Sequence, residues 1–378
     1  MIYILLLLSF MTLNMAHPVT PALINALSLP TVMFGIFFAM MSIGNFVFSP
    51  IWGGLSDKRG RIKFMIIGLV GYGISQLGFG FIANPAIIIV FRFLGGVFAV
   101  SFLTVSLAYI SDISTKDNRL KNMSYYAATS TIGGALGSLL GGIIGNSNYK
   151  LTFAAQFIFS VILGIAFIVL VKETVNDTKG KVDFNSIKSS LLVKDVKITK
   201  EIVFIMILVV VFYFSSTSYN STVNYYLETT LNMSPTNIGT FLAIAGVLAF
   251  LSNIILTPML GRKFKSENIL KYSMLCMGIA MFIASISKTV LIFFIFVILF
   301  VCIASIYVPV QQNILAGKAK NNYGAIMGLQ NSAKAVGMIG GSLFSGFIFD
   351  YGNKLPFLVS AIFLGVAFFS MKSVVRDK

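Results

Sequence analysis

Long apolar runs separated by short polar breaks make up most of the chain. The runs are near twenty residues long, the length that an α-helix needs to cross the hydrocarbon core of a bilayer. Inside a bilayer the backbone must bond to itself, and runs of this length indicate helices, since barrel strands are about half as long. The pattern predicts twelve spans, at residues 2–25, 32–55, 64–83, 86–110, 122–145, 151–171, 202–226, 236–260, 268–287, 289–313, 323–348 and 354–371.

The first run also has the position of a secretory signal. No small-residue cleavage site follows it, however, and Pro18 and Pro21 interrupt it. We therefore expect this run to be a membrane span.

Composition supports a membrane protein and excludes several other classes. The chain has 378 residues, of which 57% are hydrophobic and 11% charged, against about 25% charged in soluble domains. Disorder requires low hydrophobicity, and Cys276 and Cys302 both lie in apolar runs, which argues against a disulfide scaffold. We expect an all-α, polytopic membrane protein.

The net charge of +16 is distributed unevenly between the two predicted membrane sides. With the N-terminus placed in the cytoplasm, only Lys150, Lys288 and Lys354 lie outside, and Arg92 and Lys334 lie within spans. All other Lys and Arg residues fall on the cytoplasmic side, as the positive-inside rule requires. The pattern predicts a cell-membrane protein with both termini cytoplasmic, and it explains the positive charge without nucleic acid.

The longest connection, residues 172–201, is rich in lysine and falls near the middle of the chain. It predicts a cytoplasmic linker between two six-helix halves, residues 1–171 and 202–378. Two sequence matches support a duplication. Pro50 to Gly53 corresponds to Pro258 to Gly261, and the run Gly133 to Gly142 corresponds to Gly337 to Gly346 at nearly the same offset. Repeats of this kind are typical of transporters.

The loop after the second span reads Gly53-Gly-Leu-Ser-Asp57-Lys58-Arg-Gly60-Arg61-Ile-Lys. Taken alone, it is a basic loop whose Asp57 can meet a helix N-terminus or an arginine. The loop resembles the G-x-L-x-D-[RK]-x-G-R-[RK] signature of the major facilitator superfamily, with Ile62 as a departure. The resemblance implies a conformational gate formed by this loop and the end of the fourth span, at Gly53, Asp57, Lys58, Gly60, Arg61 and Asp112.

Two further motifs carry the same resemblance. Arg92 to Gly96 is similar to the family's R-x-x-x-G element in the fourth span. The fifth span is similar to the exporter motif G-x-x-x-G-P-x-x-G-G, with Ser138 in place of proline, and small residues at this spacing allow close helix packing in lipid. The resemblance implies a major facilitator fold of the drug-exporter branch, which includes tetracycline and multidrug efflux proteins. It also implies a helix seam that moves in alternating access, at Gly133, Gly137, Gly141 and Gly142.

Ionisable groups inside the predicted spans are His17, Arg92 and Lys334, and no acid lies at mid-membrane. Charged residues in spans are functional candidates, although each also has a structural explanation. His17 can be a hydrogen-bonded histidine at a helix bend, and Arg92 and Lys334 can each pair with a polar group. We predict a neutral to positive substrate cavity containing Asn14, His17, Arg92, Asn220, Tyr225, Gln311 and Lys334. His17 and Lys334 are the candidates for proton coupling, because histidine titrates near neutral pH and a buried lysine can lose its proton.

No catalytic motif is present. One histidine does not make a metal cluster, and the absence of a G-x-x-x-x-G-K-[ST] loop disfavours ATP-driven pumping. We therefore predict no enzyme activity, no cofactor and no metal.

The sequence predicts a monomeric secondary transporter, whose partners are a small-molecule substrate, protons and the lipid bilayer. It exports a small amphiphilic compound in exchange for protons. Two alternatives stay open. One is an importer or uniporter of a neutral or anionic solute bound by His17, Arg92 and Lys334, and the other is a transport-inactive sensor on the same fold.

Overall fold

A computed structural model describes residues 1–115, 118–175, 199–319 and 323–375, and helices are the only regular elements among them. The helices of the first half are α1 (Ile2–Asn14), α2 (Thr20–Ala26), α3 (Met33–Arg59), α4 (Arg61–Phe81), α5 (Pro85–Asp112), α6 (Arg119–Ile144) and α7 (Tyr149–Leu170). Those that follow are α8 (Lys200–Thr229), α9 (Pro235–Leu251), α10 (Thr257–Lys263), α11 (Ser266–Ile286), α12 (Val290–Ala319), α13 (Tyr323–Ile348) and α14 (Leu355–Val375).

The helices correspond to the predicted spans. Within the described residues, eleven helical segments are long and apolar enough to cross a membrane, and Leu355–Met371 is a further, shorter apolar stretch. The all-α membrane fold is therefore confirmed.

Proline accounts for the interruptions inside two spans. The first span consists of α1 and α2 joined by a 3₁₀ turn, His17–Val19, where Pro18 and Pro21 each remove a backbone donor. The eighth span consists of α9 and α10 joined by a π turn, Ser252–Leu256, which ends two residues before Pro258. Breaks of this kind are tolerated in membrane helices because neighbouring groups satisfy the freed backbone atoms.

The described chain divides into two compact units. Unit one contains Met1–Pro30, residues 40–175 and Leu227–Ile244. Unit two contains Thr31–Ala39, residues 199–226 and residues 245–375. Each unit thus includes a short segment from the other half of the sequence. The predicted halves, 1–171 and 202–378, stay a prediction, and residues 176–198 of the predicted linker lie outside the described residues.

The buried core of unit one is built from aromatic and aliphatic side chains of α1, α4, α5 and α7. Phe102 of α5 has the central position, with ring centres 5.9 Å from Phe10 and 6.1 Å from Phe167, both edge to face. Edge-to-face rings fix the orientation of neighbouring helices better than aliphatic contacts alone. This core lies beside the end of α4 that begins with Arg61.

Candidate functional site

Arg61 organises a charged cluster at the end of unit one where α3 meets α4. Its Nε donates to Asp112 Oδ2 at 2.8 Å, and its Nη1 donates to Ser56 Oγ at 2.7 Å. The same Nη1 lies 2.5 Å from Asp57 Oδ1. Arg61 is only 8% exposed, so its charge depends on these partners. The structure therefore brings together Asp57, Arg61 and Asp112 of the predicted gate.

Glu173 joins this cluster, although it was not among the predicted gate residues. Its carboxylate accepts from the backbone N–H groups of Arg61, at 2.8 Å, and Ile62, at 3.0 Å, which are the first residues of α4. The backbone N–H groups of Thr174 and Val175 donate to it as well. Partial loss of water raises the pKa of Glu173, but the four backbone donors outweigh it and lower the pKa below the ordinary value.

The predicted gate residue Gly60 is required by this arrangement. Its φ of +100° is unfavourable for other residues, and a Cβ there would lie 2.7 Å from Glu173 Oε2. Thr174 Oγ1 donates to Asp112 Oδ2 at 3.2 Å, and the Tyr109 hydroxyl donates to Lys172 O at 3.0 Å. Residues 172–175 thus connect α4 to α5.

The other two predicted gate residues, Gly53 and Lys58, lie in the last two turns of α3. A Cβ on Gly53 would come no closer than 3.7 Å to Thr104 Cγ2. Its neighbour Trp52 donates from its indole N–H to Val97 O at 2.8 Å. This turn of α3 packs on α5 without requiring a glycine at position 53.

Arg92 is the charged centre of a buried polar cluster in the membrane part of unit one. The residue is 2% exposed, and its guanidinium carbon lies 4.7 Å from the centre of the Phe79 ring. Both Tyr72 and His17 are within electrostatic range of its charge. Tyr72 donates to Leu13 O at 2.7 Å and accepts from Gln76 Nε2 at 2.5 Å.

The predicted cavity residues of the first span lie next to the break between α1 and α2. His17 begins the 3₁₀ turn, and Asn14, the last residue of α1, donates its side-chain N–H to Phe10 O at 2.8 Å. Gln156 Nε2 donates to Thr12 O at 2.7 Å. The structure therefore places His17 within electrostatic range of Arg92. It adds Tyr72, Gln76 and Gln156 to the cluster, whose only sequence signal is a polar side chain within an apolar span.

The predicted cavity residues of unit two form separate contacts. The Lys334 ammonium lies 5.0 Å from the centre of the Tyr213 ring, and Gln311 accepts from Gln330 Nε2 at 3.1 Å. Tyr225 stacks on Phe34 with ring centres 5.0 Å apart. Asn220 is exposed, with its amide 3.5 Å from Ser216 Oγ. A common substrate cavity for these residues stays a prediction.

The four predicted seam glycines of α6 face two different helices. A Cβ on Gly133 would lie 2.7 Å from Leu7 O, and a Cβ on Gly137 would overlap Met11 O, both in α1. A Cβ on Gly141 would overlap the carbonyl oxygen of Met15, the residue directly after α1. A Cβ on Gly142 would instead overlap Pro235 O at the start of α9. Glycines thus allow backbone-to-backbone contact of α6 with α1 on one face and with α9 on another.

The contact between α6 and α9 includes two more residues. A Cβ on Gly239 of α9 would overlap Ser138 O of α6, and Thr236 Oγ1 donates to Gly142 O at 3.3 Å. We call this contact, made by Ser138, Gly142, Pro235, Thr236 and Gly239, the α6–α9 seam.

Unit two contains the equivalent contacts. Gly337 and Gly341 of α13 face the backbone of α8, as Gly133 and Gly137 face α1. A Cβ on Gly35 of α3 would overlap Ser342 O and lie 2.9 Å from the Cα of Gly346. Gly35 and Gly239 are separated along the chain by the same number of residues as Ser138 and Ser342. The sequence repeat is therefore also a repeat of helix contacts.

Comparisons with known proteins agree with this fold. The family model of the Major Facilitator Superfamily matches residues 2–339 and, in a second, overlapping match, residues 205–377. Multidrug resistance protein 2 of Bacillus subtilis (strain 168) is 24% identical over 387 residues, which cover 100% of this chain and 96% of that protein. Quinolone resistance protein NorA of Staphylococcus aureus is 24% identical over 384 residues, covering 100% of this chain and 95% of that protein.

A solved structure has the same fold. It is a bacterial homolog of the human lysosomal transporter Spinster, in an inward-facing and occupied conformation. It aligns with 99% of this chain and 95% of its own, with a TM-score of 0.79 and 14% identity.

Proposed function

The chain belongs to the major facilitator superfamily, and from this premise we propose that it is a secondary active transporter exporting small amphiphilic compounds from the cell in exchange for protons. It works as a monomer in the cell membrane, with both termini in the cytoplasm. The relatives named for multidrug and quinolone resistance support export of drug-like compounds.

The observation that carries the proposal is the α6–α9 seam together with its counterpart between α13 and α3. In both, glycines bring the two helix backbones into direct contact. Such contacts close tightly and can separate without repacking large residues. Alternating access requires contacts of this kind, which form in one state and break in the other.

The charged cluster around Arg61 supports a gate at the predicted cytoplasmic end. Arg61, Asp112 and Glu173 tie α4, α5 and residues 172–175 together, while Asp57 is 59% exposed. An exposed charge beside a rigid cluster can bias the equilibrium between two conformations when it binds a partner in only one of them. We assign this role to Asp57.

Import or facilitated movement of a neutral or anionic solute is the second candidate. It is favoured by the cationic character of the polar clusters, because Arg92 and Lys334 each lie against an aromatic ring and His17 is near Arg92. A cationic cavity attracts anions and repels cations.

Transport in inside-out membrane vesicles tests these proposals. A fluorescent quinolone is the first probe, and an organic anion of similar size is the second. We expect the quinolone to accumulate only when the vesicle interior is acidic, which is the direction of proton exchange in these vesicles. Accumulation of the anion alone supports the second candidate. Movement of neither probe across the vesicle membrane contradicts transport of these compounds and supports a sensor.

A further inference from the structure

One acidic side chain of unit one is buried in part and unused by the gate or the polar clusters. Glu228 lies in the last turn of α8 and is half-buried. Its Oε1 accepts from Asn25 Nδ2 of α2 at 2.9 Å. Its Oε2 is buried and accepts no hydrogen bond from the described residues. A buried carboxylate oxygen without a donor is unfavourable while the group is charged.

Glu228 lines a cavity of about 380 Å³ at the end of unit one opposite the gate. The connection between α6 and α7 forms the rim, where residues 146–148 are exposed to solvent. Tyr149, Met233 and Pro235 complete the wall. Protons from the surrounding water can therefore reach the carboxyl group.

Among the described residues, none that lines the cavity around Glu228 is positively charged. The lining residues of α2 and of the segment before α9 are neutral, and the other titratable lining residue is Tyr149 of α7. The next residue, Lys150, has its ammonium 5.8 Å from the centre of the Phe81 ring. His17 begins the 3₁₀ turn between α1 and α2 and is within electrostatic range of Arg92. No cation among residues 1–115, 118–175, 199–319 and 323–375 therefore holds the Glu228 carboxyl in its charged form.

The cavity is continuous with the α6–α9 seam. Pro235 both lines the cavity and contacts Gly142 of α6. Separation of α9 from α6 moves one wall of the cavity and exposes Glu228 to water. Burial favours the neutral form of a carboxyl group and water favours the charged form. Protonation and closure of the seam must then favour each other, because linkage is reciprocal.

We propose that Glu228 is a proton-binding site at the outer end of the transporter, and that protonation of its carboxyl group from the outside closes the α6–α9 seam. The proposal rests on the proposed function and assigns one step of it. In the open state the carboxylate is hydrated and charged. It takes up a proton from the outer solution, and the neutral carboxyl is then enclosed as α9 returns to α6.

Distance measurements between two spin labels test the proposal without transport. The labels are attached at Ala83→Cys, between α4 and α5, and at Asn237→Cys, on α9, in a full-length background carrying Cys276→Ser and Cys302→Ser. Ala83 and Asn237 are exposed and take no part in the proposed site. The protein is measured in lipid nanodiscs by double electron–electron resonance at acidic and mildly alkaline pH.

In the labelled protein with Glu228 intact, we expect a single short distance at acidic pH and a growing longer component as the pH rises. Glu228→Gln keeps a neutral side chain at every pH, so we expect the short distance throughout, with complete loss of the pH response. Asp350→Asn is the matched control, because Asp350 is an exposed acid near the same predicted side of the membrane. It should keep the full response.

Asn25→Leu supplies a second test that leaves Glu228 in place. Loss of the Asn25 donor makes the charged carboxylate less favourable, so the transition between the two distances should shift to higher pH. A pH response that survives in Glu228→Gln overturns the proposal, and so does an unchanged transition in Asn25→Leu. These distance measurements are independent of the transport assay. The proposed efflux can therefore be contradicted without contradicting the proton site, and the proton site can be contradicted without contradicting efflux.

Discussion

At the scale of single residues, Glu173 determines how the start of α4 is held. Its carboxylate accepts from the first two backbone N–H groups of α4, which have no partner within the helix. A negative charge is favourable at this end of a helix dipole.

Replacement of Glu173 by Gln should therefore destabilise the protein at neutral pH. The side chain is exposed overall, so solvent screening should reduce the loss to about 1 kcal/mol, below the range usual for hydrogen bonds to a charged group. Thermal unfolding of the purified protein in detergent measures the difference. Glu267→Gln, which changes an exposed acid in the first turn of α11, is the control and should have a smaller effect.

The effect of Glu173→Gln should also depend on pH. Because folding lowers the pKa of Glu173, its stabilising contribution is complete above the ordinary glutamate value of about 4.3. It is lost as the pH falls through the lower, folded-state pKa. The two unfolding temperatures should differ at neutral pH and converge in strong acid. A difference that stays constant over this range would show that the carboxylate charge has no part in it.

Sequence alone did not place Glu173 in the gate, because its role there depends on distant partners. The hydrogen bond to Arg61 N joins residues 112 positions apart, and no local pattern reports such a pairing. By contrast, Asp57 and Arg61 were predicted because the loop signature contains both, and Asp112 was predicted because the family resemblance adds the end of the fourth span to the same gate.

At the scale of helices, the glycines of α6 pack against two different helices, and the spacing of the glycines in the sequence does not show which glycine faces which helix. The sequence predicted one seam of four glycines, but Gly137 faces α1 and Gly142 faces α9. Close helix packing follows from small residues at regular spacing. Which neighbour each glycine faces depends on the three-dimensional arrangement, and therefore could not be predicted.

The two faces should respond differently to substitution. Gly142→Ala places a Cβ against Pro235 O, which disfavours the closed α6–α9 seam. We expect at least a tenfold loss of turnover, about 1.4 kcal/mol against the closed state, with normal expression. Gly137→Ala disrupts the packing of α6 on α1 instead and should lower the thermal stability.

Gly365→Ala is the control for both variants, because a Cβ on Gly365 meets nothing within 4 Å. It should keep normal turnover and stability. Normal turnover in a well-expressed Gly142→Ala protein would contradict a functional role for the seam. Equal loss of stability in Gly142→Ala and Gly137→Ala would contradict a difference between the two faces.

At the scale of the whole molecule, most of the fold was predictable because a bilayer permits few alternatives. Helices that must be apolar and near twenty residues long can be recognised directly from the sequence. Each predicted span corresponds to helix in the structure. The π turn at Ser252–Leu256 was not predicted. The exact contacts of buried polar groups were not predictable either, since apolar helices can pack in many rotations.

A proton bound by a group that stays at the outer end of the molecule needs a further group to carry it inwards. Glu228 lies at one end of unit one, and His17 lies deeper, beside the break in the first span. A proton taken up at the outer end must still reach the cytoplasm, and histidine is suited to this step because it titrates near neutral pH. We propose that Lys334, whose ammonium lies against the Tyr213 ring, instead supplies positive charge for the substrate.

We therefore expect His17→Gln to lose transport driven by a pH gradient while keeping exchange of substrate across the membrane. Lys334→Gln should keep coupling but weaken transport of anionic compounds more than that of cationic ones, because it removes one positive charge. Reconstituted vesicles with an imposed pH gradient separate the two outcomes, since exchange without a gradient measures conformational cycling alone. Uphill transport by His17→Gln with an unchanged pH profile would exclude histidine as the inner proton carrier. The proton would then have to pass from Glu228 by a route that does not include His17.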